Sequence, residues 1–154
     1  MAEVYSAPRV TKTFTLMPSM ELIPGFALDL SGEDENGDSW DFTRADMRAK
    51  ARTLLLETKP FLLIGSPPCT AFSSWQALNA ARLAWTAQDV KRRQAEGELH
   101  VRFCCELYKL QTEAGCYFLH EHPANATSWQ LTEVQQRLEN NGVQRAVGDQ
   151  CQYG

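Results

Sequence analysis

The run Phe61-Leu-Leu-Ile64 is apolar throughout and is cut off by Gly65-Ser-Pro-Pro68. A run this short, bounded by turn residues, reads as a strand. With no polar alternation it belongs inside a sheet covered by helices on both faces. Four further short stretches read as strands, at residues 3–5, 26–30, 117–120 and 143–147, and longer stretches with helical spacing separate them. Strands alternating with helices specify an α/β fold, here a Rossmann-like and mostly parallel sheet.

The helical stretches carry their own start and stop signals. Thr43-Arg-Ala-Asp46 reads as a helix start with the Thr43 hydroxyl as cap, after which Met47, Ala51, Leu54 and Leu55 share a face. A second helix is expected from near Thr86 to about Glu113, because Val90, Leu99, Phe103, Leu107 and Leu110 keep close to the helical period. Thr127-Ser-Trp-Gln130 resembles a capping box for a third, carrying Leu131, Val134 and Leu138 until Asn140-Asn-Gly142 stops it. Residues 31–38 are acidic, contain glycine and have no period, so they read as a surface connector; the ligand spacing of a calcium loop is absent. A chain of 154 residues without a linker-like stretch is expected to be one domain, residues 1–154, with no separate target-recognition domain.

A formal net charge of −4 argues against gripping nucleic acid by bulk electrostatics, so any such contact must be local. No apolar run approaches the roughly 20 residues that span a bilayer. The five cysteines form no CxxC pair, which makes reduced thiols in an intracellular setting the expectation. His120 and His122 flank Glu121, but alternation along a strand turns Glu121 to the opposite face, so no metal site is expected.

The chemistry concentrates after the apolar strand. In Gly65-Ser-Pro-Pro-Cys69 a glycine and two prolines lift a cysteine at the carboxyl edge of the sheet, where open α/β sheets bind ligands. Paired prolines restrict the backbone ahead of Cys69 and would hold its sulfur in one direction, which suits a nucleophile. An inert core cysteine in a turn is the competing reading.

Ser66-Pro-Pro-Cys69 followed by Phe72-Ser73 resembles the proline-cysteine motif of the cytosine-5 DNA methyltransferases, and Tyr117-Phe-Leu-His-Glu-His-Pro123 is similar to that family's strand ending in a glutamate. The resemblance implies that Cys69 attacks C6 of a flipped cytosine, that Glu121 contacts the ring nitrogen and exocyclic amine, and that S-adenosylmethionine supplies a methyl group to C5. The residue types make chemical sense without the name. Addition to C6 needs a soft nucleophile and a proton or hydrogen bond at N3 to absorb the developing charge. The apolar residues before Glu121 would favour its protonated form. Pro67 and Pro68 would orient the thiol, and Phe72, Ser73 and Trp75 are candidates to line the base pocket.

The resemblance also implies a cofactor site beginning at the first strand, in the turn containing Tyr5 and Ser6, yet residues 3–11 contain no glycine. Asp29 would match the acid that holds the ribose hydroxyls and Asp41 the aspartate near adenine; a loop or capping role explains each equally well. Gly148-Asp-Gln-Cys-Gln-Tyr-Gly154 resembles the start of the family's next motif, so the chain is expected to be incomplete relative to the family. DNA, or RNA, is the implied substrate, and a protein partner would supply missing elements. Two other readings stand beside this one: a non-catalytic methyltransferase-like fold serving as an interaction or assembly subunit, and a thiol enzyme pairing Cys69 with His120 or His122.

Overall fold

The computed structural model describes residues 1–14, 23–73, 76–149 and 152. Trp75 and Tyr153-Gly154 lie outside these residues. Four strands, β1 (Ala2–Val4), β2 (Ala27–Leu28), β3 (Leu62–Gly65) and β4 (Tyr117–His120), form one sheet in the order β2-β1-β3-β4. Every pairing is parallel. The helices are α1 (Val10–Phe14), α2 (Ala45–Thr58), α3 (Gln76–Arg82), α4 (Ala87–Glu113) and α5 (Thr132–Leu138), with short 3-10 turns at Thr70–Phe72 and Thr127–Gln130. The fold is the Rossmann-like α/β class that the alternation predicts. No helix among the described residues is long and apolar enough to cross a membrane.

The spine of the molecule is α4. It starts near Thr86 as expected, and Thr86 caps it, accepting from the Asp89 amide while the Asp89 carboxylate accepts from the Thr86 amide, a reciprocal box that satisfies two orphan donors. Val101, Phe103, Cys104, Leu107 and Tyr108 are buried along its inner face. Two polar side chains on that face pin the β3–β4 pair at its two ends. Gln111 donates to the carbonyls of Pro60 and Tyr117, each at 2.9 Å, where the strands begin. Tyr108 donates to the Gly65 carbonyl at 3.2 Å, where β3 ends, and its ring stacks on Phe118 with centroids 4.4 Å apart. An aromatic pair of this kind contributes about 1 kcal/mol beyond its buried area.

The sheet is less enclosed than the apolar run implies. Burial alternates along β3, with Leu63 and Gly65 buried and Leu62 and Ile64 only half-buried. In register beside them on β4, Tyr117 and Leu119 are exposed. Phe61 and Tyr117 pack ring against ring at 5.0 Å on that open side.

Three local expectations differ from the structure. Residues 143–147 form no strand; Arg145 instead lies over the Trp129 ring at 4.3 Å and donates to the Ala124 carbonyl at 2.7 Å. The cap position of α2 is Arg44, with no side-chain bond to a helix amide, and the Thr43 hydroxyl instead donates to Asp41 at 2.7 Å. Thr127–Gln130 forms a 3-10 turn of its own, and α5 starts after it at Thr132 with Leu131 as its cap residue. The acidic connector is tied down by protein, with Lys50 donating to Asp34 at 2.6 Å and to Glu35. That ammonium, together with the Asp38 and Asn36 amides, holds the Asp34 carboxyl at about 2.

Candidate active site

All four strands run the same way, so the segments leaving β1, β2, β3 and β4 emerge together at one edge of the sheet. The register fixes how closely the two chemical segments are matched. Gly65 pairs with His120, the Glu121 amide donates to the Gly65 carbonyl at 2.9 Å, and the Ser66 amide donates to the Val4 carbonyl at 3.2 Å. The segments that carry Cys69 and Glu121, remote in sequence, thus leave adjacent strands from the same level.

Cys69 is half-buried and opens the 3-10 turn, its carbonyl accepting from the Phe72 amide at 2.9 Å. It differs in this from Cys104 and Cys105, which are buried and whose thiols burial pushes up, that of Cys105 to about 12. A thiolate is what attacks, so those two are inert and Cys69 is the accessible thiol of this edge. Helix α4 presses directly on the turn. A Cβ on Gly97 would come within 2.6 Å of the Ala71 Cβ, so a glycine is what allows the helix and the loop to touch. Pro67 is buried, Pro68 and Ser73 are half-buried, and Phe72 is 1 % exposed, its ring 5.7 Å from that of His122. Phe72 is therefore packed inside, between α4 and β4, and is not a free wall of a base pocket.

Glu121 is exposed, and so are Tyr117 and Leu119 on its side of the strand. The apolar residues expected to favour its protonated form do not enclose it. His120 and His122 turn the other way, as the alternation requires, with ring centroids 5.4 Å apart. His120 Nδ1 meets the Tyr108 hydroxyl at 3.0 Å, and the Cys104 thiol donates to that hydroxyl at 3.0 Å. Burial, and then the neighbouring His122, lower the His120 imidazole to about 4. His122 is 8 % exposed and its Nδ1 is hydrogen-bonded to the Ser128 hydroxyl. Burial lowers His122 as well, while the backbone carbonyls of Pro67 and Pro68 act in the opposite sense. Those carbonyls belong to the loop carrying Cys69, whose Phe72 ring also packs edge-on to His122, while His122 Nε2 has no hydrogen-bond partner. Among the described residues no group of three or more His, Cys, Asp and Glu side chains could hold a metal ion.

At the cofactor end, the turn after β1 bends through the left-handed region at Tyr5, φ 61°, a conformation that glycine adopts most easily. Tyr5 itself is tucked inward, its hydroxyl 3.1 Å from His100 Nδ1 and its ring 4.9 Å from Phe42. The start of α1 is closed by a residue the motif reading overlooked. Glu3 is fully buried, and its carboxylate accepts from the Thr11 amide at 2.7 Å, the Thr11 hydroxyl at 2.6 Å, the Val10 amide at 3.2 Å and the Ser6 hydroxyl at 3.0 Å. Burial alone would raise the Glu3 carboxyl, but these donors outweigh it and hold it below its ordinary value. S-adenosylmethionine carries a carboxylate at its methionine end. The helix amides that would receive it are already bonded to Glu3, so the β1 turn does not fit that end of the cofactor. Asp29 accepts from Ser31, and Asp41 accepts from the Thr43 amide and hydroxyl, so both carboxylates serve local turns.

A cavity of about 160 Å³ opens on this edge, lined among others by Leu30, Pro68, Thr70, Trp85, Arg93 and His100. Residues on either side of Cys69 thus face it, as does Arg93, whose guanidinium lies 4.0 Å over the Trp85 ring. A larger open hollow, about 650 Å³, lies around Met1, Ile23 and Pro60, where the strands begin. Sequence reasoning missed Glu3, Gly97 and the packing of His122 against Phe72. A carboxylate inside an apolar strand and a glycine midway along a helix were the visible signals for the first two. In comparisons with protein-family models, curated proteins and solved structures, none matches this chain.

Proposed function

We propose that this chain is a cytosine-5 methyltransferase-like domain in which the Cys69 thiolate adds to C6 of a flipped cytosine in DNA, or RNA, with Glu121 assisting at N3 and the exocyclic amine. The observation that carries the reading is the register: the two segments leave adjacent parallel strands at one level, with Gly65 beside His120 and the Glu121 amide on the Gly65 carbonyl. Cys69 is half-buried, and its neighbours Pro68 and Thr70, though neither Cys69 nor Glu121 itself, line a cavity at the carboxyl edge. Thiolate addition forms the S–C6 bond and leaves negative charge over C5 and N3. A carboxyl group within reach of N3 stabilises that charge, and C5 then takes a proton from water. No methyl-transfer step is assigned, because the turn after β1 does not fit the methionine end of S-adenosylmethionine. The free thiols among the described residues are consistent with an intracellular setting.

The test is covalent capture. An oligonucleotide carrying 2-pyrimidinone in place of cytosine presents a more electrophilic C6 and needs no cofactor to be trapped. The expected result is a protein–oligonucleotide adduct whose mass maps to the peptide holding Cys69 and which disappears in Cys69→Ser. Absence of an adduct from the wild-type chain at saturating oligonucleotide would remove the reading.

A second reading, an assembly subunit without catalysis, is favoured by one specific observation. Phe61, Tyr117 and Leu119 are 60 %, 60 % and 48 % exposed on the open face of β3 and β4, an apolar surface suited to a protein partner. It expects no adduct.

A further inference from the structure

We propose that the cavity beside the thiol loop is a second base site: the nucleobase next to the reacting cytosine enters it, lies against Trp85 and presents its edge to Gln76 and Asn79. This deepens the proposed function, rests on its reading of Cys69 as the attacking group, and narrows the substrate to single-stranded nucleic acid.

Position, size and lining carry it. Pro68 and Thr70, on either side of Cys69, line the cavity while Cys69 does not, so its occupant lies next to the reacting pyrimidine and not in its place. At about 160 Å³ it has room for one ring; an engineered apolar cavity of about 150 Å³ takes up benzene. Room for one ring excludes S-adenosylmethionine as a whole. Leu30, Ala71 and Gly97 give apolar walls, and the half-buried Trp85 adds an aromatic one. Gln76 and Asn79 stand three apart on α3 and so share a face. Both line the cavity, both are half-buried, and among the described residues neither side-chain amide has a hydrogen-bond partner. A carboxamide holds a donor and an acceptor in one plane, the pattern that a base edge complements. The two charged lining residues argue for a neutral ring. Arg93 lies 4.0 Å over Trp85 and Glu96 follows one helical turn on, so their opposite charges offset each other and the cavity does not select an anion. Stacking on an aromatic side chain is the common grip on unpaired bases. In a duplex with one base flipped out, the next base stays paired and stacked and cannot enter a cavity. Two neighbouring bases held in separate places therefore require a single strand.

The test measures equilibrium binding of the intact chain, at low ionic strength, to a fluorescein-labelled five-nucleotide DNA strand with a central cytosine. Companion strands carry an abasic tetrahydrofuran residue on the 5′ or the 3′ side of that cytosine. Removing one of the two neighbouring bases should raise the wild-type Kd about tenfold, and removing the other should raise it less than about threefold. In Trp85→Ala the intact strand should bind about tenfold more weakly, and the abasic change should then alter the Kd less than about twofold. Trp85→Phe keeps an aromatic face and should restore the dependence on the neighbouring base, which a merely structural role for Trp85 would not predict. Asn79→Leu, with Trp85 in place, should level any wild-type preference among the four bases at that position to within about twofold. The same strand in a duplex should bind at least about tenfold more weakly. Equal Kd values for the intact and both abasic strands in wild type, duplex binding as tight as single-strand binding, or no strand binding at millimolar concentration would each overturn the inference while leaving the adduct test of the proposed function to stand by itself. Displacement of the strand by free adenosine or S-adenosylmethionine, without dependence on the neighbouring base, would mark a cofactor pocket and overturn it too. If the neighbour dependence holds but no adduct forms with the 2-pyrimidinone oligonucleotide, the proposed function falls and the base site stands.

Discussion

Replacing Gly65 with alanine is expected to lower the stability of the chain by about 3–4 kcal/mol, with a fall in Tm of about 10 °C for a protein of this size. A Cβ at this position would sit 2.1 Å from the Tyr108 hydroxyl oxygen, 2.6 Å from Cys104 Sγ and 2.9 Å from Tyr108 Cζ. Something must move, and the atom in the way is not the loose end of a surface chain. Tyr108 is 1 % exposed, stacked on Phe118, and its hydroxyl meets the Gly65 carbonyl, His120 Nδ1 and the Cys104 thiol. Overpacking costs about 1–3 kcal/mol, and each buried polar group left without its partner costs about 1–3 kcal/mol more. Denaturant unfolding of wild type and Gly65→Ala measures the difference directly. A loss below about 1 kcal/mol would mean that α4 does not lie against the end of β3 as described.

Stability is expected to fall by about 3 kcal/mol as pH drops from 6.5 to 4, most of it above pH 4.5 where ordinary carboxylates are still largely ionised. The cause is His120. Burial holds its imidazole at about 4 in the folded chain, against an ordinary value of 6.5. Between those two values the unfolded chain binds a proton that the folded chain does not, so acidification favours unfolding; above 6.5 both states are neutral and the slope vanishes. His122 is lowered too and acts in the same direction. Glu3 adds a separate acid loss. Its folded value is depressed, so its contribution is complete above the ordinary carboxyl value and disappears as pH falls through the folded one. Urea unfolding at half-unit steps from pH 7.5 to 4 measures the slope, and His120→Asn should reduce it whatever that variant does to absolute stability. A flat profile above pH 4.5 in the wild type would contradict the burial of this ring.

Much of this architecture was legible in the sequence because local and global signals agree there. The apolar run before Gly65, the short strand Tyr117–His120 and the helical spacing of Val90, Leu99, Phe103, Leu107 and Leu110 each specify one local conformation, and the packing of α4 on the sheet uses all three. Residues 143–147 misled because β-branched and apolar residues describe a strand only when an edge receives it. Arg145 found an aromatic face and a carbonyl instead. Thr43 failed as a cap because Asp41, two residues earlier, competes for its hydroxyl.

The site divides in the same way. The turn that lifts Cys69 and the strand that ends before Glu121 are sequence-local, so their common edge followed from a parallel sheet. What Glu3 does was not legible, because its four donors come from Ser6, Val10 and Thr11, and only the folded turn brings them round one carboxylate. The packing of the His122 ring against Phe72 is a tertiary fact of the same kind.

The central claim is that a thiol and a carboxyl group on the segments leaving two adjacent strands act on one pyrimidine, and hydrogen exchange at C5 tests it most directly. Reversible addition of Cys69 to C6 lets C5 take a proton from solvent and lose another before the thiolate departs, with no cofactor involved. An oligonucleotide incubated in deuterium oxide with the wild-type chain should acquire deuterium at cytosine C5, Cys69→Ser should abolish the exchange, and Glu121→Gln should slow it by about 100-fold or more. Exchange no faster than in buffer alone, or exchange that survives in Cys69→Ser, would contradict the account.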